Sequence, residues 1–308
     1  MEVIRHIESY RRFPRPIVSL GNFDGVHLGH QAILTKAVSE ARALQGTALV
    51  LTFHPHPLSV LRPNSPLPLI LSLREKLLLF RRLEIHGVIL QRFSQTFSQL
   101  TAEEFVRRYL VDIIGIEKVI VGHNVSFGHR RSGNAEMLVQ LGEKFGFAVD
   151  VIGPVVIDGR EVSSTAVRTL LGTGNMHEVT RLLGRPYGVS GRVEKGFQRG
   201  RTIGFPTANL RPRTDLLLPN GVYAITVDLD EKISVPGVAN VGMNPTFGNN
   251  RRTIEAHLFD FSADLYGQRL RVNFLEHIRE ERKFPSVPEL VRQIQEDADR
   301  ARALLTGR

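Results

Sequence analysis

The chain contains no cysteine. Disulfides, thiolate metal sites and a cysteine nucleophile are therefore excluded, in keeping with a reducing compartment. It also has no apolar run near the roughly 18 residues that a membrane span requires. The opening stretch MEVIRHIESYRRFPRP (1–16) has no apolar core of the kind a secretory leader carries, so a cytoplasmic protein with no membrane partner is expected. Internal repeats and long low-complexity tracts are absent too; the Pro-rich stretch from His54 to Pro68 comes nearest. What remains is an ordinary globular composition, 42% hydrophobic and 23% charged, over 308 residues, a length that favours two domains.

The formal net charge of +9 suits polyphosphate substrates, nucleic acid or an anionic surface. Much of it lies between Arg181 and Arg213, where Arg181, Arg185, Arg192, Lys195, Arg199, Arg201, Arg211 and Arg213 face the single acid Glu194. That cluster lacks the interleaved aromatics of a single-strand nucleic-acid binder. Small phosphorylated ligands, not nucleic acid, are the expected partners, and nothing in the sequence decides the oligomeric state.

Residues 1–184 alternate short β-type runs with helical periodicity. IVSL (17–20) leads into HQAILTKAVSEARAL (30–44), where Ile33, Ala37, Ala41 and Leu44 keep helical spacing; Gly46 breaks the pattern before ALVLTF (48–53). Further helices open at Ser72 and Thr101, each followed by a glutamate three residues on, the capping-box spacing. GVILQ (87–91), KVIVG (118–122) and FAVDVI (147–152) read as strands, with the helix AEMLVQLGEKF (135–145) stopped by Gly146. This alternation predicts a doubly wound, mostly parallel sheet whose ligands sit at the carboxyl ends of its strands. Two helical patterns, STAVRTLLG (164–172) and MHEVTRLLG (176–184), close this half.

From Arg185 the texture changes. YGVSGRV, GVYAITVDL, ISVPGVANV, TIEAHLFDF and RLRVNFLE follow closely, parted by Gly, Pro and Asn, which predicts a small antiparallel barrel over 185–308. Ser286 and Glu289 then cap a final helix with Leu290, Ile294 and Ala301 on one stripe.

The motif GNFDGVHLGH (21–30) lies between the first strand and first helix of this pattern, where unpaired amides and the helix dipole attract anions. His27 and His30 can add donors to phosphate oxygens as charge builds at phosphorus. A histidine pair at this spacing, taken alone, better describes two ordinary loop or capping residues, and only its place between strand and helix reverses that preference; a zinc site has no third ligand in view. In SSTAVR (163–168) a hydroxyl-capped helix start with an arginine fork makes a pyrophosphate clamp, although a plain helix cap would use the same letters. The two stretches together resemble the H-x-G-H and S-S-T-x-x-R signatures of the nucleotidylyltransferases. That resemblance implies ATP phosphates on His27 and His30, with Gly21, Phe23 and Gly29 in the same loop, and leaving phosphates on Ser164, Thr165 and Arg168. GHNVSFGHRRSGN (122–134) resembles a further loop of the superfamily through Asn124 and Phe127, with Val125 departing from its usual phenylalanine. TFHPHP (52–57) resembles its flavin-side loop; a rigid proline loop reads the same way.

In GRVEKGFQRGRTIGFPTANL (191–210), four glycines let backbone amides approach phosphates closely while Lys195 and the arginines add charge. No Walker A pattern is present. Thr207 and Asn209 share one face of an extended segment and offer neutral oxygens suited to Mg2+ whose other ligands are phosphates and waters. In TIEAHLFDF (253–261), alternation puts Ile254, Ala256 and Leu258 on one face and Glu255 and His257 on the other, where Glu255 can serve as a base or as part of a solvated face. GRTIGFPTANL, GVYAITV, NPTF, EAHLFDF, LYG and REERKF occur in the order of the riboflavin kinases, to which this half is similar. The similarity implies Mg-ATP at Gly204, Thr207 and Asn209, Glu255 as base for the ribityl hydroxyl, and Arg279 on the flavin side. The whole chain thus resembles the bacterial bifunctional flavokinase/FAD synthetases, which implies ATP, riboflavin, FMN and FAD as substrates or products.

Overall fold

The computed structural model describes residues 1–308 except 6, 8, 9, 11, 12, 66, 197, 198, 213, 231, 232, 244–251, 307 and 308, and the side chains of 199 and 201. The NPTF stretch, 244–247, lies outside the described residues. Backbone contacts group the chain into two compact units, Met1–Leu67 with Leu71–Ser163, and Pro68–Ile70 with Ser164–Arg308.

The first unit is built on six parallel strands: β1 (Glu2–Ile4), β2 (Pro16–Leu20), β3 (Thr47–His54), β4 (Gly87–Arg92), β5 (Lys118–Gly122) and β6 (Ala148–Ile152), in the order β1-β4-β3-β2-β5-β6. Strand order reverses between β2 and β5, so their carboxyl ends open the crevice where doubly wound sheets take ligands. The central strands are continuous apolar runs because helices cover both faces; every residue of β2 is buried. Helix α1 (Leu28–Ala43) buries Ile33, Leu34, Ala37, Val38 and Ala41, while Leu44 falls at its C-cap. After the short α2 (Pro57–Leu61), helix α3 (Leu73–Arg82) starts in a reciprocal capping box between Ser72 and Glu75. The Thr101–Glu104 box opens α4 (Ala102–Phe105), which continues through wider π-type turns over Val106–Ile114 to a left-handed Gly115. Helix α5 (Ala135–Phe145) ends at a left-handed Gly146, as its sequence implied. A hairpin, β7 (Val156–Ile157) with β8 (Arg160–Glu161), turns at Asp158 and Gly159, both at positive φ.

The second unit holds α6 (Ser164–Gly172), α7 (Met176–Leu183) and a closed six-stranded antiparallel barrel. Its strands are β9 (Tyr187–Glu194), β10 (Ala208–Pro212), β11 (Gly221–Asp228), β12 (Ser234–Met243), β13 (Arg252–Leu258) and β14 (Arg269–Arg279), in the order β10-β13-β12-β11-β14-β9. A one-turn helix, α8 (Arg199–Thr202), interrupts the loop from β9 to β10. Closure removes free sheet edges and seals an interior containing Tyr187, Tyr223, Ile254, Ala256 and Phe274. Helix α7 buries Met176, Val179, Leu182 and Leu183 and packs on β14 and β9, which is why residues 164–184 group with the barrel although the change of texture falls at Arg185. The last helix, α9 (Val287–Thr306), lies over β11, β12 and β14 through Ala298 and Ala301. Leu290 and Ile294 are only half-buried, so the buried stripe sits further along than the periodicity suggested.

Beneath α1, Glu40 accepts hydrogen bonds from Lys118 of β5 at 2.8 Å and from Lys36 at 2.7 Å, and Lys118 also reaches Asp150 of β6 at 3.4 Å. The Lys118 hydrogen bond, followed by that of Lys36, draws the Glu40 carboxyl from 4.5 down to about 2. A folded-state value below the unfolded one gives stability that is complete above about pH 4.5 and is lost as the pH falls towards 2. In Lys118→Met this acid-side loss should become shallower while the protein is weakened at pH 7; urea unfolding of both proteins at pH 7, 4 and 3 measures the difference.

Candidate functional sites

In the first unit, the carboxyl end of β2 runs into a turn that the backbone adopts reluctantly. Phe23 (φ 51°), Gly25 (φ 89°) and Val26 (φ 42°) all sit in the left-handed region, unfavourable for a bulky aromatic and worse for a β-branched side chain. Several contacts hold it there. The Phe23 ring is buried edge-on against Phe80 and His30, with centroids 5.7 and 5.3 Å away. The Asp24 carboxylate accepts from the Leu71 amide at 3.4 Å, and Gln31 Nε2 donates to the Val26 carbonyl at 2.9 Å. Gly21 makes room for Phe23: a Cβ there would lie 3.1 Å from the ring.

The turn delivers His27 to the N-cap of α1, where Nδ1 accepts from the His30 amide at 3.3 Å. This leaves the ring proton on Nε2, so Nε2 is the side of His27 that can donate. The His27 and His30 rings stack with centroids 3.6 Å apart and planes 21° apart. One imidazole therefore both caps the helix and forms half of a paired donor face beside the amides of the first turn. Gly29 permits this, since a Cβ would stand 3.2 Å from the His27 ring and 3.3 Å from the Val162 carbonyl. Val162 thus lies beside the first motif, and the chain enters α6 two residues later at Ser164.

Across the switch point, the loop after β5 carries Asn124 exposed and Phe127 buried. Phe127 packs on Phe105 and forms an isolated bridge with Gly133, so it anchors the loop from the core side. Val125, where the usual phenylalanine is missing, packs against the same core. In TFHPHP, residues 52–54 end β3 and His56 caps α2 by accepting from the Leu58 amide at 3.2 Å, so Pro55 and His56 make a short connection from strand to helix. Lys76 of α3 escaped sequence reading. Its Nζ donates to the Asn22 carbonyl at 3.0 Å and to Thr52 Oγ1 at 3.2 Å. Set among Arg74, Arg81 and Arg82 on an amphipathic helix, it carried no distinguishing signal.

In the second unit, Ser164 and Thr165 begin α6, Ser164 half-buried and Thr165 exposed; Arg168 Nε donates to the Pro68 carbonyl at 3.0 Å. On the barrel, register brings together residues far apart in sequence. Asn209 lies opposite Glu194 on one side and Glu255 on the other, and Glu255 lies opposite Asn240. Directly paired residues of an antiparallel ladder share a face, so Glu194, Asn209, Glu255 and Asn240 form one polar row across four strands. Ile254, Ala256 and Leu258 take the alternate positions, 0%, 1% and 6% exposed, which turns Glu255 away from the apolar interior. The glycine-bearing loop folds onto this row. A Cβ on Gly196 would come 2.6 Å from Asn209 Nδ2, and His257 Nδ1 lies 3.0 Å or less, at 2.8 Å, from the Pro206 carbonyl. Thr207 is half-buried, Gly204 has φ 89°, and Lys195 Nζ lies 5.9 Å over the Tyr266 ring.

The donor set suits a hard cation only in part. Among the described residues no group of three His, Cys, Asp or Glu side chains converges, so no all-protein cage exists, whereas neutral oxygens at Thr207 and Asn209 beside Glu255 fit an ion completed by phosphates and water. The basic cluster is also less bare than its sequence suggested. Arg181 pairs with Glu178 at 2.8 Å and Arg211 with Glu194 at 3.8 Å, while Arg192 Nε donates to the Gly267 carbonyl. Arg199 and Arg201 have no described side chains, and Arg213 lies outside the described residues. No helix among the described residues is long and apolar enough to cross a membrane.

Comparison with known proteins gives two family matches in one chain, FAD synthetase over residues 11–166 and riboflavin kinase over residues 183–305. A bifunctional riboflavin kinase/FMN adenylyltransferase of Haemophilus influenzae is 36% identical over 308 residues, covering 100% of both chains. Its counterpart in Pseudomonas fluorescens is 39% identical over 306 residues, covering 99% of this chain and 98% of its own. A crystal structure from Streptococcus pneumoniae, described as a macrolide-efflux protein, aligns with a TM-score of 0.86 and 33% identity over 96% of each chain.

Arg279, expected on the flavin side, has its guanidinium engaged by the buried Asp297 of α9, through Nε at 2.9 Å and an NH2 group at 2.7 Å. The fork ties the end of β14 to α9. Asp297→Ala, which leaves this mostly buried cation unmatched, should cost the barrel about 3 kcal/mol, read as a lowered urea midpoint.

Proposed function

Because the chain belongs to the family of bifunctional riboflavin kinase/FMN adenylyltransferases, we propose that it makes FAD from riboflavin in two steps, phosphorylation to FMN and then adenylylation. The barrel half, 185–308, carries the kinase step and the half 1–184 the adenylyl step. This functional division stays at 184/185 because SSTAVR belongs with the adenylyl chemistry even though α6 groups with the barrel. The observation that carries the reading is the pairing of Asn209 with Glu255 across β10 and β13.

In the kinase step the 5'-hydroxyl of riboflavin must lose a proton as its oxygen attacks the γ-phosphorus of ATP and ADP departs. Glu255 accepts that proton. Its place on a closed barrel fixes the carboxylate where a loop would not. Thr207 and Asn209 hold Mg-ATP, with Lys195 and the backbone near Gly204 drawing in the phosphates. When bound, Mg2+ neutralises charge on the phosphate oxygens. Arg279 contributes by holding α9 on β14, an indirect part on the flavin side.

The adenylyl step differs in its proton requirement. The FMN phosphate is already anionic when its oxygen attacks the α-phosphorus of ATP, and the bond to pyrophosphate breaks without a proton being removed. Donors suffice here: His27 through Nε2, His30 beside it, and the first-turn amides of α1. Gly21, Phe23 and Gly29 shape that turn, Asn124 and Phe127 the facing loop, and Ser164, Thr165 and Arg168 take the leaving phosphates. We place the enzyme in the cytoplasm, consistent with its cysteine-free sequence, and expect no nucleic-acid partner, since part of the basic cluster is neutralised within the fold.

Glu255→Gln should abolish FMN formation from riboflavin while leaving FAD formation from supplied FMN near wild type, with both products followed by chromatography. Equal loss of the two activities would contradict the division of labour.

A further inference from the structure

Lys76 is a half-buried lysine whose ammonium group reaches into the strained turn, and the mechanism above makes no use of it. Its ammonium group joins the Asn22 carbonyl, in the turn, to Thr52 Oγ1 on β3, and Thr52 itself donates to the same carbonyl at 3.3 Å. Three groups from α3, β3 and the turn thus close on one point just ahead of Phe23, where the turn enters the left-handed region. A carbonyl held in this way fixes the peptide between Asn22 and Phe23, and through it the turn that ends at the His27 cap.

We propose that Lys76 is a positioning residue for the adenylyl step: its ammonium group clamps the Asn22 carbonyl to Thr52 and so fixes the turn from which His27 caps α1 and offers Nε2 to phosphate. The inference rests on the adenylyl reading of this half. Burial draws the Lys76 ammonium down to about 8, against an opposing pull from the Asp24 carboxylate. His54 at the end of β3 also senses it, since desolvation and then the charges of Lys76 and Arg5 hold His54 below its ordinary 6.5, while the chain neighbour Glu75 is engaged in the Ser72 capping box. His54 therefore has no part in a transition near pH 8. The second ionisation of a phosphate ester, near pH 6, lies below that range as well.

With the full-length protein, FAD formation from FMN and ATP is measured between about pH 6.5 and 9.5, alongside FMN formation from riboflavin. In wild type, kcat for FAD formation should decline above about pH 8. Lys76→Met should lower that kcat about tenfold or more, the effect of losing hydrogen bonds to a charged group, and flatten the decline. The KM for FMN should change less than about threefold, and FMN formation should be unaltered. Thr52→Val, which removes one acceptor and keeps the charge, should retain the alkaline decline. If Lys76→Met matches wild type in kcat and pH profile, the proposal is overturned. Should that variant fail to fold, the wild-type profile decides, since FAD formation that stays level from pH 7 to 9.5 also overturns it. Wild-type protein that makes FMN and never FAD refutes the adenylyl reading itself, a result separable from a failure of Lys76 alone.

Discussion

Binding a polyphosphate with backbone amides requires the chain to come close and point its N–H groups outward, and such turns are conformationally unfavourable. For the phosphate site proposed at the start of α1, much of the first unit's construction answers that constraint. Phe23 and Val26 accept left-handed φ values because the Phe23 ring gains burial against Phe80, because Gln31 and Lys76 each hold a different carbonyl of the turn, and because the Asp24 side chain ties the turn to the Leu71 amide. The parallel sheet supplies rigid strands on either side, and the reversal of strand order between β2 and β5 supplies the opening. Without those tertiary anchors the turn would relax, and His27 would lose its cap position with it.

The barrel meets a similar demand by other means. There the polar groups come from a ladder, whose register brings Glu194, Asn209, Glu255 and Asn240 into one row. A closed barrel cannot slip register without exposing Ile254 and Ala256, so the carboxylate is held by the same hydrophobic pattern that stabilises the fold. Glycine at 196 then allows the loop to approach Asn209 more closely than any side chain would permit. The proposed function divides the chemistry accordingly, with a base on a rigid strand for the step in which a hydroxyl must be deprotonated and a donor-rich helix start for the step whose nucleophile is already an anion.

Charge follows the same economy. The excess of basic residues is not one exposed patch: Arg279 is spent on Asp297, Arg181 on Glu178, and Lys118 on Glu40 and Asp150. Apart from the Arg181–Glu178 pair within α7, these pairs join elements, β14 to α9 and α1 to β5 and β6, and so serve the scaffold. Arg279 is the instructive case, since the motif that marked it for the flavin side gave no sign of the buried aspartate eighteen residues on that its guanidinium engages. That partner sits on a helix face where alternation and capping offer no hint of a carboxylate turned inward.

Local rules read from the amino-acid sequence were enough for the alternating sheet, the closely spaced barrel strands, the capping boxes at Ser72 and Thr101, the stop at Gly146 and the solvent-side phase of Glu255. Each depends on neighbours within a few residues, or on a period of 2 or 3.6 that the chain itself displays. Tertiary structure alone decided the pairing of Glu255 with Asn209, the bonding of Lys76 to Asn22 and Thr52, the engagement of Arg279 by Asp297, and the grouping of residues 164–184 with the barrel. Those outcomes turn on which distant segments meet, and therefore on register, burial and desolvation, none of which has a signature in a single stretch of sequence.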